Sequence, residues 1–466
     1  MAANREERLT EFYNALAFQR GIAFTDEDRR EMPDALPAEV YVEDIHRDGD
    51  INPRTRLLRS ILRNNSADRY FFTGMRGSGK TTELLKLKAE LEGKGFVAFY
   101  ADMSEFLPEN EPVKIGDFML LLVSVLADRV MDRYGKDFTK ESFFTEFFAF
   151  LSREIQVEGL EWSADTFFGK IGIKGKLKQN PTARQKLQQV AEGRLDQLFR
   201  AVSKLIDEIV AYIRRGSSTT RVIYLVDSVE RLRGIGEKQS KEVFDSLEYL
   251  FSTHADNLRF SLLSVVYSVP PYLRAVVGAS ESNLICSLPA IRIFKNPLAQ
   301  DPAAEPHKPQ DEDAAVYPES IAKMVAVIEA RYPNWQEFFT PAALKGLVKD
   351  SGGDLREFFL LLRACLSMVD GDDDGKFPIP PSIIEQAEKE RRNQFGMIPL
   401  AEMDWLKRVM ESHGHGKLKD DETPTLAYLL DGKLMFQCRN GSNWYDVHPL
   451  LQDIVRRHVV NAAPAS

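Results

Sequence analysis

Nine residues constrain this chain more than any others: Gly74-Met75-Arg76-Gly77-Ser78-Gly79-Lys80-Thr81-Thr82. They follow a short apolar segment, Tyr70 to Thr73, and lead into ELLKLKAELEGKG, a run of good helix formers that stops at Gly93. The first eight match GxxxxGK[ST], the P-loop. Its glycines let the backbone curl so that successive N–H groups point inward at phosphate oxygens, and the helix that follows offers its positive end. In such a loop Lys80 reaches the β and γ phosphates and the Thr81 hydroxyl takes one position on Mg²⁺. A second apolar segment, Phe96 to Ala101, comes next, so the order is strand, glycine-rich loop, helix, strand. That is the opening of a parallel α/β domain.

Three more strands are expected at Val222 to Val226, Phe260 to Ser268 and Ile291 to Phe294, with helical sequence between them. Five strands joined by crossovers imply a parallel sheet covered on both faces. A P-loop needs an acid on a neighbouring strand to hold magnesium through water, and Val222-Ile223-Tyr224-Leu225-Val226-Asp227 supplies it. Hydrolysis also requires a group that activates water, for which Glu230 is the candidate; the alternative is that Glu230 only pairs with Arg231 or Arg233. The fourth strand ends in Ser268 before a double proline. If that strand lies between the P-loop and Asp227 strands, Ser268 either senses the γ-phosphate or is a strand-end serine satisfied by backbone.

At 466 residues the chain has room for about three structural units. We expect a leader over 1–50, a P-loop core over 51–296, a linker over 297–316, a helical lid over 317–399 and a winged helix over 400–466. The leader reads as wrapping the first domain. An insertion over about 103–220 is too long for a simple crossover. Its last part, Ala183 to Arg214, places Ala191, Leu195, Leu198, Val202, Leu205, Ile209 and Tyr212 at helical spacing, which predicts one long amphipathic helix. Its apolar stripe either packs on its own domain or faces another subunit. Residues 166–191 carry Lys170, Lys174, Lys176, Lys178, Arg184 and Lys186 with no acidic residue among them, so residues 170–186 are the candidate contact for nucleic acid. The linker PLAQDPAAEPHKPQDEDA is rich in Pro, Ala and acid, and DGDDDGK lacks the closing glutamate of a calcium loop. Near the C-terminus two helices, Ala401 to Ser412 and Thr423 to Leu430, precede Asn440-Gly441, a two-residue hairpin signal; helices followed by a hairpin suggest a winged helix-turn-helix.

The formal charge is −9 (61 Lys and Arg against 70 Asp and Glu), which argues against coating nucleic acid or a membrane with the whole surface. Residues 400–466 contain eight Lys or Arg against nine Asp or Glu, whereas a DNA-reading winged helix normally carries excess positive charge. Protein contact is favoured there. Three scattered cysteines, Cys286, Cys365 and Cys438, form neither a disulfide framework nor a zinc motif and fit a reducing cytoplasm. The longest apolar run, Phe118 to Ala127, falls short of the ~20 residues of a membrane span.

GMRGSGKTT, VIYLVDSVERL, the strand-end Ser268 and Ser351-Gly352-Gly353-Asp354-Leu355-Arg356 together resemble the AAA+ and STAND group of P-loop NTPases. The similarity is greatest to the origin-recognition-like branch, which joins an AAA+ core to a helical lid and a winged helix. It covers about residues 50–460 apart from the insertion. It implies ATP and Mg²⁺ as ligands, and an arginine, here Arg356, reaching from the lid to the nucleotide's phosphates; the alternative is a surface arginine of an N-capped helix. Two departures stand out. Ser228 follows Asp227 where most AAA+ proteins have glutamate, so that Asp227 to Arg231 is more similar to the DDLDR signature of KAP-type NTPases, and the catalytic base stays open. No arginine finger precedes the expected fifth strand, leaving Arg274 or Arg231 to act in trans. The resemblance implies an ATPase switch that forms homo-oligomers or engages a protein effector, placed in anti-phage defence by analogy alone. A nucleic-acid-binding initiator or loader is the rival; a small-molecule kinase or a GTPase is a third reading, disfavoured by the extended C-terminal part and by the lack of NKxD.

Overall fold

The computed structural model describes residues 5–17, 21–47, 52–135, 141–155, 181–232, 236–273, 284–297, 315–371, 377–414, 422–440 and 442–458. The chain divides into two compact units, one of Met1–Thr55, Gly74–Thr82 and Ser287–Ser466, the other of Arg56–Thr73 and Glu83–Cys286. Before the main sheet, β1 (Ile22–Ala23) and β2 (Leu36–Pro37) make a short parallel pair. The main sheet holds β3 (Arg69–Gly74), β4 (Val97–Asp102), β5 (Val222–Asp227), β6 (Leu263–Val269) and β7 (Leu284–Leu288), in the order β4-β5-β6-β3-β7. Every residue of β5 and β6 is buried, as expected of parallel strands covered on both faces. The fold is the α/β fold with a five-stranded parallel sheet that the sequence predicts.

β6 does lie between β3 and β5. Its parallel register sets Ser268 beside Phe72 of β3 and Tyr267 beside Val226 of β5. Ser268 therefore stands at the same end of the sheet as Asp227.

The fifth strand is not where it was expected. It is Leu284–Leu288, ended by Pro289, and Ile291 to Phe294 instead runs as an extended connector. Ile291 and Ile293 alternate like strand residues because both are buried against the helical core of the first unit, and Ile291 N–H donates to Gly353 O rather than to a strand.

Within the second unit, the helix Ile115–Tyr134 is buried from Ile115 through Ala127, which explains its apolar run. The expected helix from Ala183 to Arg214 is two helices, Pro181–Glu192 and Leu195–Ile213, separated at Gly193 and Arg194. Glycine carries a high helix cost, and the break falls on it. Leu198, Val202, Leu205 and Ile209 are buried, and the second helix packs on Ile115–Tyr134, Ser142–Glu154 and β6. The apolar stripe is thus core of its own domain.

In the first unit the helix Arg5–Ala15 joins a helical core. Leu9, Phe12 and Leu16, at spacings of three and four, enter a core with Ile321, Met324, Ile328, Leu347, Phe358 and Leu362 from the helices Pro318–Arg331, Pro341–Asp350 and Leu355–Leu366. Phe12 is fully buried and stacks on Tyr332 with ring centroids 4.6 Å apart. Lys295 N–H to Ala315 O and Tyr317 N–H to Ile293 O join the two ends of the expected linker; residues 298–314, like 372–376 of the acidic loop, lie outside the described residues. After the helix Pro381–Asn393, the C-terminal part runs Leu400–Ser412, Thr423–Asp431, an antiparallel pair of β8 (Met435–Asn440) and β9 (Ser442–Val447), and Gln452–Arg457. Among the described residues no helix is long and apolar enough to cross a membrane.

Phe12→Ala removes an aromatic ring from a filled core. Such truncations cost about 3–5 kcal/mol, and chemical denaturation should show a loss of that order. An unchanged midpoint would mean that the N-terminal helix contributes nothing to this core.

Candidate functional site

The glycine-rich loop 74–82 lies wholly in the first unit. It curls because Gly77 and Gly79 take φ of +88° and +91°, the left-handed region that glycine enters without steric cost. Ser78 N–H closes a turn on Met75 O at 3.2 Å. Lys80, the first residue of the helix Lys80–Glu92, is 3% exposed, and its Nζ donates to Gly74 O and Met75 O at 2.8 Å each. Ser78 Oγ is buried with no hydrogen-bond partner. A buried hydroxyl left unsatisfied is costly, and a phosphate oxygen would satisfy it. Curl, ammonium and orphan hydroxyl all fit an anionic phosphate chain. Thr81 and Thr82 stand half-buried on the first turn of the helix, and Arg76 is half-buried in the loop.

Residues from three other parts of the chain close on this loop. A methyl group added at Gly77 would come 2.6 Å from Arg356 Cβ and 3.1 Å from Lys433 Nζ. Arg356 sits on the first turn of Leu355–Leu366, whose N-cap Asp354 accepts Glu357 N–H at 2.8 Å. Gly352 and Gly353, with φ of +62° and +82°, make the preceding turn; a side chain at either would collide, with the Phe436 ring at Gly352 and with Ile291 O at Gly353. Met75 Sδ accepts Gln437 N–H of β8 at 3.3 Å. His46 is buried with Nε2 facing Gly79, where an added methyl would stand 3.5 Å away. Burial pushes its pKa down to about 4, so it is neutral.

The second unit holds the acidic group. Asp227 is fully buried at the end of β5; its Oδ2 accepts from the Tyr100 hydroxyl at 2.9 Å and its Oδ1 from Ser228 N–H at 2.7 Å. Burial raises the Tyr100 pKa well above the phenolic value, which keeps it a donor. Ser228 takes φ of +65°, uncommon for a residue with a side chain and characteristic of sites that aim a functional group. The chain then makes a single 3₁₀ turn, Val229–Arg231. That turn directs Glu230 to β6, where its Oε2 accepts from Ser268 Oγ at 2.6 Å. Arg231 turns instead to Ser104 Oγ at 3.1 Å and Asp102 at 3.8 Å, so this arginine is engaged within its own chain.

Asp227, Glu230 and Ser268 are thus brought together in one unit, and the loop 74–82 and Arg356 in the other. Tyr100, His46 and Lys433 escaped the sequence reading. Tyr100 is visible only through pairing: Asp102 stands opposite Asp227, and Tyr100, two residues earlier, shares its face. Arg233, Arg274, Lys170, Lys174, Lys176 and Lys178 lie outside the described residues, and the side chains of Arg184 and Lys186 are not described. Among the described residues no group of three or more His, Cys, Asp and Glu is placed to hold a metal. Mg²⁺ on a nucleotide needs only one or two protein ligands and keeps its waters, and the oxygen donors Thr81 and Asp227 suit that chemistry.

No family model matches this chain, and no curated protein does. Solved structures similar to it include the Walker-type ATPase PABY2304 of Pyrococcus abyssi, with 12% identity over 87% of this chain and 94% of that one, TM-score 0.36. A single-residue variant of Thermotoga maritima RuvB has 13% identity over 88% of this chain and 96% of that one, TM-score 0.34. Drosophila ORC bound to AT-rich DNA and Cdc6 has 9% identity over 92% of this chain and 52% of that one, TM-score 0.34. At these values no property of those proteins is carried over to this chain. The parallel sheet, the curled loop after β3 and the carboxylate ending β5 define the class from within: an α/β fold with a P-loop.

Tyr100→Phe deletes a hydrogen bond to a buried carboxylate while keeping the ring. Hydrogen bonds to charged groups contribute about 1.5–3 kcal/mol, and a loss of that size should appear in denaturant unfolding. Unchanged stability would mean that Asp227 does not depend on Tyr100.

Proposed function

We propose that this chain is an ATP-binding and ATP-hydrolysing switch of the AAA+ and STAND type, whose nucleotide state controls assembly with further copies or with a protein effector. The observation that carries this reading is the contact of Arg356 with Gly77, which ties the phosphate loop to the first turn of a helix far along the chain. A ligand shifts a conformational equilibrium only as far as its affinities for the two states differ. An arginine at the phosphate loop provides that difference, because it gains more from a triphosphate than from a diphosphate.

The residue roles follow from the chemistry. Backbone N–H groups of residues 74–82 and Lys80 bind and orient the β and γ phosphates; Thr81 and Asp227 would hold Mg²⁺, which would supply neutralisation of charge on the phosphates. Glu230 takes a proton from the attacking water, whose oxygen bonds to the γ phosphorus as the bond to the β–γ bridging oxygen breaks, giving ADP and inorganic phosphate. Ser268, by donating to one Glu230 oxygen, orients that carboxylate. Tyr100 does the same for Asp227. The segment 400–466, read as a winged helix, serves protein contact in this account, in keeping with its charge balance.

Nucleotide titration and turnover on three variants test this. Lys80→Ala should abolish ATP binding, and Glu230→Gln should bind ATP as wild type does while turnover falls about 10²-fold or more, the worth of a general base. Asp227→Ala should also remove turnover. Wild-type ATP affinity in Lys80→Ala would end the nucleotide reading, and unchanged turnover in Glu230→Gln would end the assignment of the base.

A further inference from the structure

Lys433 is placed in a way that its local fold does not require. It follows the helix Thr423–Asp431 and takes φ of +56°, a helix-ending conformation for which glycine, and after it asparagine, is suited. Gly432 stands immediately before it yet keeps a right-handed conformation with φ of −75°. The lysine, not the glycine, occupies the left-handed position. Its side chain is then only 10% exposed, with Nζ 2.7 Å from Asp354 Oδ1. An ammonium has three N–H donors and no acceptor, and that carboxylate oxygen also accepts Glu357 N–H. The same Nζ faces the phosphate loop at Gly77, as Arg356 does.

We propose that Lys433 is a ligand of the nucleotide's terminal phosphates, a cation supplied by the C-terminal segment to the loop that Lys80 serves from within. This deepens the nucleotide reading above and rests on it. A buried ammonium with one carboxylate partner and donors to spare is under-satisfied, and a phosphate at the loop offers the acceptors it lacks. Asp354 and that phosphate then compete for one ammonium. Asp354 caps the helix that carries Arg356, so occupancy of the loop reaches both the 351–356 turn and the start of β8. Asp354 is the resting partner, and the phosphate is the functional one.

The opposite signs expected at the two members of this ion pair make the test. Lys433→Gly and Lys433→Asn both suit the left-handed backbone and remove the cation. In the full-length protein, titrated with ATP and with ADP in Mg²⁺, each should weaken binding roughly tenfold or more, the worth of a charge-assisted hydrogen bond. Asp354→Asn keeps a capping side chain and frees the ammonium, so it should tighten binding, and in a Lys433→Gly background it should change nothing. Wild-type affinity in the two Lys433 variants would overturn the proposal. So would equal weakening by Lys433→Gly and Asp354→Asn, which marks a purely structural pair. In either case loss of binding in Lys80→Ala leaves the nucleotide reading standing; no binding by wild type overturns both.

Discussion

The absence of a side chain at Gly77 is the constraint on which the first unit depends. With φ of +88°, and with Arg356 and Lys433 closing on the space a β-carbon would fill, only glycine satisfies both backbone and neighbours at that position. The loop is a packing partner for two cations that lie far apart in the sequence, and in the proposed binding mode an anion there draws on both. The glycine pair at Gly352 and Gly353 extends the same logic, since close approach of Phe436 and of Ile291 O depends on their bareness. Three bare positions thus let the 351–356 turn, the connector at Ile291 and the start of β8 share one small volume.

The second unit is organised by hydrogen bonds to carboxylates instead. Asp227 is held by Tyr100 and by the N–H of its successor, and Glu230 by Ser268. The left-handed Ser228 makes this arrangement work. It follows the aspartate directly, and the sharp turn it introduces returns the acid Glu230 to the neighbouring strand. Strain at one backbone position thus serves to aim a functional group.

Much of this was legible in the sequence because it is local. The P-loop spacing, the apolar strand ending in Asp227, the capped turn before Arg356 and the Asn440-Gly441 hairpin signal are each contained in a few consecutive residues. What was missed is non-local. Ile291 to Phe294 has the alternation of a strand, but alternation reports burial on one face and not which element provides it. Leu284–Leu288, with Cys286 and Ser287 in its middle, is the strand that pairs. Tyr100 acquires meaning only through the register of β4 with β5. No local pattern tells that Asp354 and Gly77 lie beside Lys433. The core that the helix Arg5–Ala15 joins is equally non-local, since it comes from helices far along the chain.

The central claim is that nucleotide at the loop is felt by the 351–356 turn and by the hairpin entrance. Amide hydrogen exchange on the full chain, with and without a slowly hydrolysed ATP analogue and Mg²⁺, tests it directly. Altered protection is expected at residues 74–82 together with 351–357 and 433–437. Change confined to residues 74–82 would contradict it.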